Sequence, residues 1–193
     1  MRRERVMKRF LITLILASVF MATSAQAANG KLYFSVNGGL SLTDDMDFPG
    51  INISFDPGFN VGGAVGYDFG QFRAEGEIRY HSVDIDEING IPTPISADLS
   101  ALTFMANGYF DIEMGNSPVT PYIGGGIGLV TSELDAGAFG SEDEEDFGYQ
   151  FMVGLGFDVN PNTMLTAEYR FFGIADSDAP NTHAFIFGAR FMF

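Results

Sequence analysis

From residue 31 onward, apolar and polar side chains alternate with a period of two in eight separate stretches. Successive side chains of an extended strand point to opposite faces, so this period predicts strands with one apolar and one polar side. The stretches are 31–43, 58–69, 72–83, 98–112, 119–132, 147–159, 164–173 and 183–193. The last is the clearest. Phe185, Phe187, Ala189, Phe191 and Phe193 share one face, while Ala184, Ile186, Gly188, Arg190 and Met192 share the other. The stretch 72–83 carries charge on one side only. Arg73, Glu75, Glu77, Arg79 and His81 alternate with Phe72, Ala74, Gly76, Ile78 and Tyr80.

The connections alternate in length. Residues 44–57, 84–97, 133–146 and 174–181 read as long loops, and the turns near 70, 113–118 and 160–163 read as short. Pro49-Gly50, Pro57-Gly58 and Asn89-Gly90 are loop signals. Gly70 suits a tight turn that needs positive φ. The run Ser141-Glu-Asp-Glu-Glu-Asp146 makes the third loop read as disordered. Each strand is long enough to cross a bilayer at a tilt. Backbone groups in lipid must all be paired, so the last strand is expected to meet the first and close a barrel. The predicted fold is all-β: an eight-stranded antiparallel up-and-down transmembrane β-barrel.

The first 27 residues change the picture of the chain's start. Arg2, Arg3, Arg5, Lys8 and Arg9 precede a 13-residue apolar run, Phe10 to Ala22, and then Ala25-Gln26-Ala27. This is the order of a cleaved secretory signal peptide. Residues 1–27 are therefore expected to be removed, leaving 28–193 as one barrel domain. Five of the 10 basic residues and one of the 25 acidic residues lie in the leader, which leaves 5 against 24, a balance of −19. A surface so acidic argues against nucleic acid as a partner. There is no cysteine, and so no disulfide framework.

The leader, the eight alternating strands, the Phe72-Arg-Ala-Glu-Gly-Glu-Ile-Arg-Tyr80 segment, Pro121-Tyr-Ile-Gly-Gly-Gly126 and the terminal Phe193 carry a resemblance. They resemble the small outer-membrane β-barrel family of Gram-negative bacteria, with its OmpA-like, OmpX-like and porin-family surface antigens. The resemblance covers the chain from residue 28. It implies a multi-pass protein of the cell outer membrane, with short turns and both termini periplasmic and four long loops outside. It also implies that Phe193 and Phe191 belong to an assembly signal read by the barrel-assembly machinery. No peptidoglycan-binding domain of the OmpA kind is expected after the barrel, and a monomer embedded in outer-membrane lipid and lipopolysaccharide is expected.

Three groups of residues are candidates for chemistry. The first is a lumenal charge network of Arg73, Glu75, Glu77, Arg79, Glu168, Arg170 and Arg190. An eight-stranded barrel is wide enough only for side chains to fill, so these charges must pair. Glu75 or Glu77 is expected to reach Arg170 across the lumen, and Arg190 to lie beside Glu168. Such a network reads as a structural plug or, alternatively, as the gate of a narrow ion-conducting porin. The second group is the acids of the long loops. They lack the 12-residue pattern of a calcium loop, so no metal or other cofactor is expected. They suit a structural and surface-interaction role, with lipopolysaccharide or a basic extracellular partner. The third is His81 and His183, the only histidines. His81 and Ser82 are adjacent and so point to opposite faces. His183 precedes no serine, so lipid A hydrolysis, and enzyme activity generally, are not expected.

Overall fold

The computed structural model describes residues 30–48, 51–88, 91–92, 98–115, 117–135, 141–175 and 180–193. Its strands are β1 (Lys31–Thr43), β2 (Met46–Phe48), β3 (Ile51–Phe55), β4 (Gly58–Asp68), β5 (Phe72–Ile88), β6 (Ile91–Pro92), β7 (Asp98–Asp111), β8 (Val119–Asp135), β9 (Ser141–Asn160), β10 (Thr163–Ile174) and β11 (Thr182–Met192). Eight of them form one antiparallel ring in the order β1-β4-β5-β7-β8-β9-β10-β11. The ring closes because β11 pairs with β1 from Tyr33 opposite Met192 to Thr43 opposite Thr182. Closure removes the free edge that a sheet in lipid cannot tolerate.

Every face expected from the alternation is the face observed. Leu32, Val36, Leu40, Val61, Val65, Phe72, Ile78, Phe104, Ile123, Phe151, Val153, Phe185 and Phe187 are all exposed on the outside. Arg73, Glu75, Glu77, Arg79, Asn107, Gln150, Arg170 and Arg190 are buried inside. Apolar outside and polar inside is the pattern of a barrel facing lipid. At the rims, Phe34 stacks on Phe191 and Phe193 with centroids 4.8 and 5.8 Å apart, and Phe72 lies 5.1 Å from Phe110.

The short turns follow local chemistry. Gly70 takes φ +102°, and its N–H donates to Asp68 Oδ1 at 2.7 Å. Inward glycines make room for large neighbours: a Cβ at Gly66 would strike the Tyr33 ring, one at Gly124 the Tyr109 ring, and one at Gly154 the Tyr122 ring.

The long loops differ from expectation. Residues 44–57 hold the β2–β3 hairpin, with Met46 opposite Ile53. β5 runs on to Ile88 and pairs there with β3 and β6. The third loop, expected to be disordered over 133–146, is mostly ladder. β8 and β9 stay paired up to Asp135 opposite Ser141, and only residues 136–140 lie outside the described ones. Ladder bonds use backbone groups, so a run of acids can extend a strand once it leaves the apolar layer. The expected signal peptide, residues 1–27, also lies outside the described residues.

Candidate functional site

The lumen is built from β-strand residues of one parity, stacked in layers along the axis. Nearest the short turns, Arg73 on β5 forms a two-toothed fork with Asp111 on β7, Nε to Oδ2 at 2.7 Å and Nη2 to Oδ1 at 2.9 Å. Paired, parallel N–H···O bonds to a carboxylate are the strong, directional form of this contact. The Arg73 guanidinium also lies 4.4 Å from the Tyr109 ring centroid and 5.1 Å from that of Tyr122.

In the next layer Glu75 is held by neutral donors alone. Tyr33 Oη donates at 2.9 Å, Tyr109 Oη at 2.9 Å and Asn107 Nδ2 at 3.1 Å. Above it a chain of charges crosses the barrel. Glu168 Oε1 accepts from Arg170 Nε at 2.9 Å and Nη2 at 2.8 Å. Arg170 Nη1 donates to Glu77 Oε1 at 2.6 Å, and Glu77 Oε2 lies 3.1 Å from Arg79 Nη2. Arg79 goes on to the side-chain oxygens of Asn60 and Asn37. β5 and β10 are four places apart in an eight-membered ring, so the Glu77–Arg170 pair spans the lumen as expected.

Arg190 does not pair with Glu168. The β10–β11 register sets Arg190 opposite Met164 and Glu168 opposite Ile186. Four residues separate the two, about 13 Å along the sheet. Alternation shows a face and not a height, so the proximity expected from sequence failed. Arg190 instead donates to Met164 Sδ at 3.5 Å and lies 5.2 Å from the Tyr33 centroid.

Three of the four buried arginines (73, 79 and 170) thus pair with carboxylates (Asp111, Glu77 and Glu168), while Arg190 and Glu75 have neutral partners. No buried side-chain nitrogen or oxygen among the described residues lacks a partner. The space left between Glu75, Glu168, Arg170 and Arg190 is about 20 Å³, room for about one water. Toward the long-loop end the lumen is filled by Met105, Val130 and Phe172, with Ala101 and Ile174 against them. His81 stacks on Phe172 with centroids 5.5 Å apart. Sequence reading missed Asp111, Tyr33, Tyr109, Tyr122, Asn107 and Gln150 as members. Their inward parity was visible, but being uncharged, or at a strand end, they gave no stronger signal.

Of the other candidates, Phe193 N donates to Leu32 O at 2.9 Å, which ties the last residue into the β1–β11 seam with Phe191. His183 faces outward near the long-loop end, where Tyr169 Oη lies 2.6 Å from its Nδ1. The loop acids are split between the described strand ends and residues outside the description. Among the described residues no group of three or more His, Asp or Glu is placed to hold a metal ion.

Comparisons with known proteins agree with this architecture. The family model described as "Outer membrane protein beta-barrel domain" matches residues 12–193. A curated relative, "Outer membrane protein" of Gluconacetobacter diazotrophicus, is 28% identical over 209 residues. That alignment takes in 89% of this chain, and the chain spans 55% of the relative's length. Among solved structures, Neisserial surface protein A superposes with a TM-score of 0.64 at 19% identity, covering 84% of this chain and 97% of that one. Ail, the attachment invasion locus protein of Yersinia pestis, solved with the heparin analogue sucrose octasulfate, gives 0.54 at 20% identity over 85% and 99%.

Proposed function

The chain belongs to the outer membrane protein β-barrel domain family, and from that premise we propose that it is a closed, non-conducting barrel that displays an acidic outer rim for contact with a basic partner. The observation that carries this reading is the contrast between a lumen in which every buried polar side chain among the described residues has a partner and a rim whose acids do not alternate with bases. β5, β8 and β9 continue past the apolar band, and their registers set Asp84 opposite Asp98, Asp98 opposite Asp135 and Glu133 opposite Asp143. No base stands among these positions in the sequence, so the rim suits a partner of the opposite charge. A polyanion of the kind bound to Ail does not suit this rim. The short turns and termini are placed on the periplasmic side in this reading, and the protein acts as a monomer without catalysis.

The test is binding of the folded protein, held in lipid nanodiscs, to a surface coated with polylysine at rising salt. Strong capture at low salt that falls steeply with salt, and that is lost when Glu142 to Glu145 are changed to Gln or Asn, supports the reading. Unchanged capture by that variant contradicts it.

One observation favours a second reading, a gated narrow pore. Arg170 holds Glu77 and Glu168 at once, and the small cavity touches Arg170, Arg190 and both Glu75 and Glu168. A swing of Arg170 or Arg190 between these carboxylates would join the cavity to the layers on either side.

A further inference from the structure

Above the apolar band the polarity of the sheet reverses. The β5–β7, β7–β8 and β8–β9 registers continue from the barrel into the overhanging strands without a shift. A residue's parity therefore still shows its face. Within the band, apolar residues such as Ile78 stand outward and Arg79 stands inward. Past Ser82 the order is inverted: by parity Val83 takes the lumen face and Asp84 the outer face. The neighbouring strands repeat this. Register sets Val83 beside Leu99 and Leu99 beside Leu134. It also sets Asp84 beside Asp98 and Asp98 beside Asp135. An apolar row thus crosses β5, β7 and β8 on the lumen face, one residue away from an acidic row on the outer face.

Among the described residues no strand stands across from the apolar row. Beneath it the lumen is packed by Met105, Val130 and Phe172, with Ala101 and Ile174 against them. On the far side β10 ends at Ile174, level with Gly148, and β11 begins at Thr182, level with Thr43. β9 rises from Gly148 to Glu142 beyond that level, about 20 Å of strand. The overhang is therefore a half-open, concave wall. An apolar sheet face is stable when another apolar layer lies on it.

Charge narrows what that layer is. The row continues from Leu134 onto β9 at Glu142, and the next positions of the same β9 series are Glu144 and Asp146. The concave face is apolar across three strands and acidic along its β9 margin. A second copy of the chain would bring acid against acid, because residues 44–57, 84–97, 133–146 and 174–181 contain no Lys or Arg. A polyanion would meet the same repulsion, and a purely apolar ligand would leave the margin without a counter-charge. A helix about 10 Å across, with an apolar stripe and Lys or Arg along one flank, suits both parts of the face. About 13 residues of helix match the height of the overhang.

We infer that the concave face of the β5–β7–β8–β9 overhang is the docking site for a basic amphipathic helix of a partner protein. The stripe lies along Val83, Leu99 and Leu134, and the basic flank faces Glu142, Glu144 and Asp146. This site rests on the basic-partner reading of the rim and adds the shape of the partner to it. It also divides the acids by face: the lumen series of β9 takes the helix, while Glu133 and Asp143 stand on the other side of the wall.

Two peptides of about 14 residues, made of Leu and Lys in equal composition, test this against the protein in phosphatidylcholine nanodiscs. One has its Leu residues at helical spacing, and the other has them in an order that gives no stripe. With binding to protein-free discs subtracted, the native protein should hold the striped peptide about tenfold more tightly. Leu99→Ser combined with Leu134→Ser should remove that advantage and leave polylysine capture at the native level. Glu142→Gln with Glu144→Gln should weaken the striped peptide more than Glu133→Gln with Asp143→Asn, although each pair removes the same charge. Heat-modifiable migration shows that each variant is folded. Equal affinity for the two peptides, an unchanged advantage in the folded serine variant, or equal losses from the two acid pairs would overturn the helix site and leave the basic-partner reading standing. A native protein that captures neither polylysine nor either peptide would overturn both.

Discussion

Inside the barrel, Arg170 stands between two carboxylates, with Glu77 at 2.6 Å and Glu168 at 2.8 Å. At the rim, Glu133 stands opposite Asp143, and Asp98 has Asp84 on one side and Asp135 on the other. The same sheet carries both arrangements. What differs is position along the strands, inside the apolar band or past its end. A charge buried without a partner costs several kcal/mol, so each lumen charge has a carboxylate, guanidinium, neutral donor or ring against it. A charge in water costs little, so the rim is free to be one sign. Pairing therefore marks where the fold needs stability, and imbalance marks where the surface is free to serve a partner.

The comparison can be pressed hardest in the lumen. Glu77→Gln leaves Arg170 and Arg79 short of charge at buried positions, and should cost about 3–5 kcal/mol. The midpoint of urea unfolding in lipid vesicles measures it, and an unchanged midpoint would remove the network from the stability account. Combining Glu77→Gln with Arg170→Met should cost less than the two single changes added together, because each removes the charge the other leaves stranded. Strict additivity would mean that the two groups do not act as a pair.

The outer wall comes next in size. Val153 is 52% exposed and faces outward between Ile123 and Tyr169. Val153→Arg should cost about 2–4 kcal/mol in the same unfolding assay. Normal stability of that variant would reverse the assignment of faces. Removing Phe193 takes away the N–H bond to Leu32 and the ring stacked on Phe34, and should lower the yield of heat-modifiable, assembled protein. Full yield would show that the seam does not depend on its last residue.

The rim should show the smallest effect, with the opposite sign. Glu133→Gln removes one member of a like-charged pair, and should leave stability unchanged or raise it by about 0.2–1 kcal/mol. A loss as large as that of Glu77→Gln would mean that the rim acids are built into the fold as the lumen charges are.

Much of this was legible before the fold was known. Alternation placed Phe185 and Phe187 outside and Arg73, Glu75, Glu77 and Arg79 inside, because period two assigns faces without any knowledge of neighbours. The ring count set β5 across from β10, and so Glu77 across from Arg170. Register was not legible. It depends on where each hairpin turns, and the ends of β10 at Ile174 and of β11 at Thr182 go with a register that sets Met164, not Glu168, opposite Arg190. The length of the overhanging strands was hidden because charged side chains end the apolar pattern while the backbone ladder runs on. The contact of His183 Nε2 with Asp44 Oδ1, at 3.7 Å, was hidden for a third reason. It exists only because closure brings Thr43 beside Thr182, 139 residues away in sequence.

The central claim is that the lumen is shut by paired charges and by the layer of Met105, Val130 and Phe172. The most direct test is single-channel conductance of the refolded protein in a planar bilayer, with heat-modifiable migration as the folding control. The account predicts a folded protein that gives no discrete openings at any salt concentration. Discrete openings whose size rises with salt would contradict it and make the Glu77–Arg170–Glu168 chain a gate.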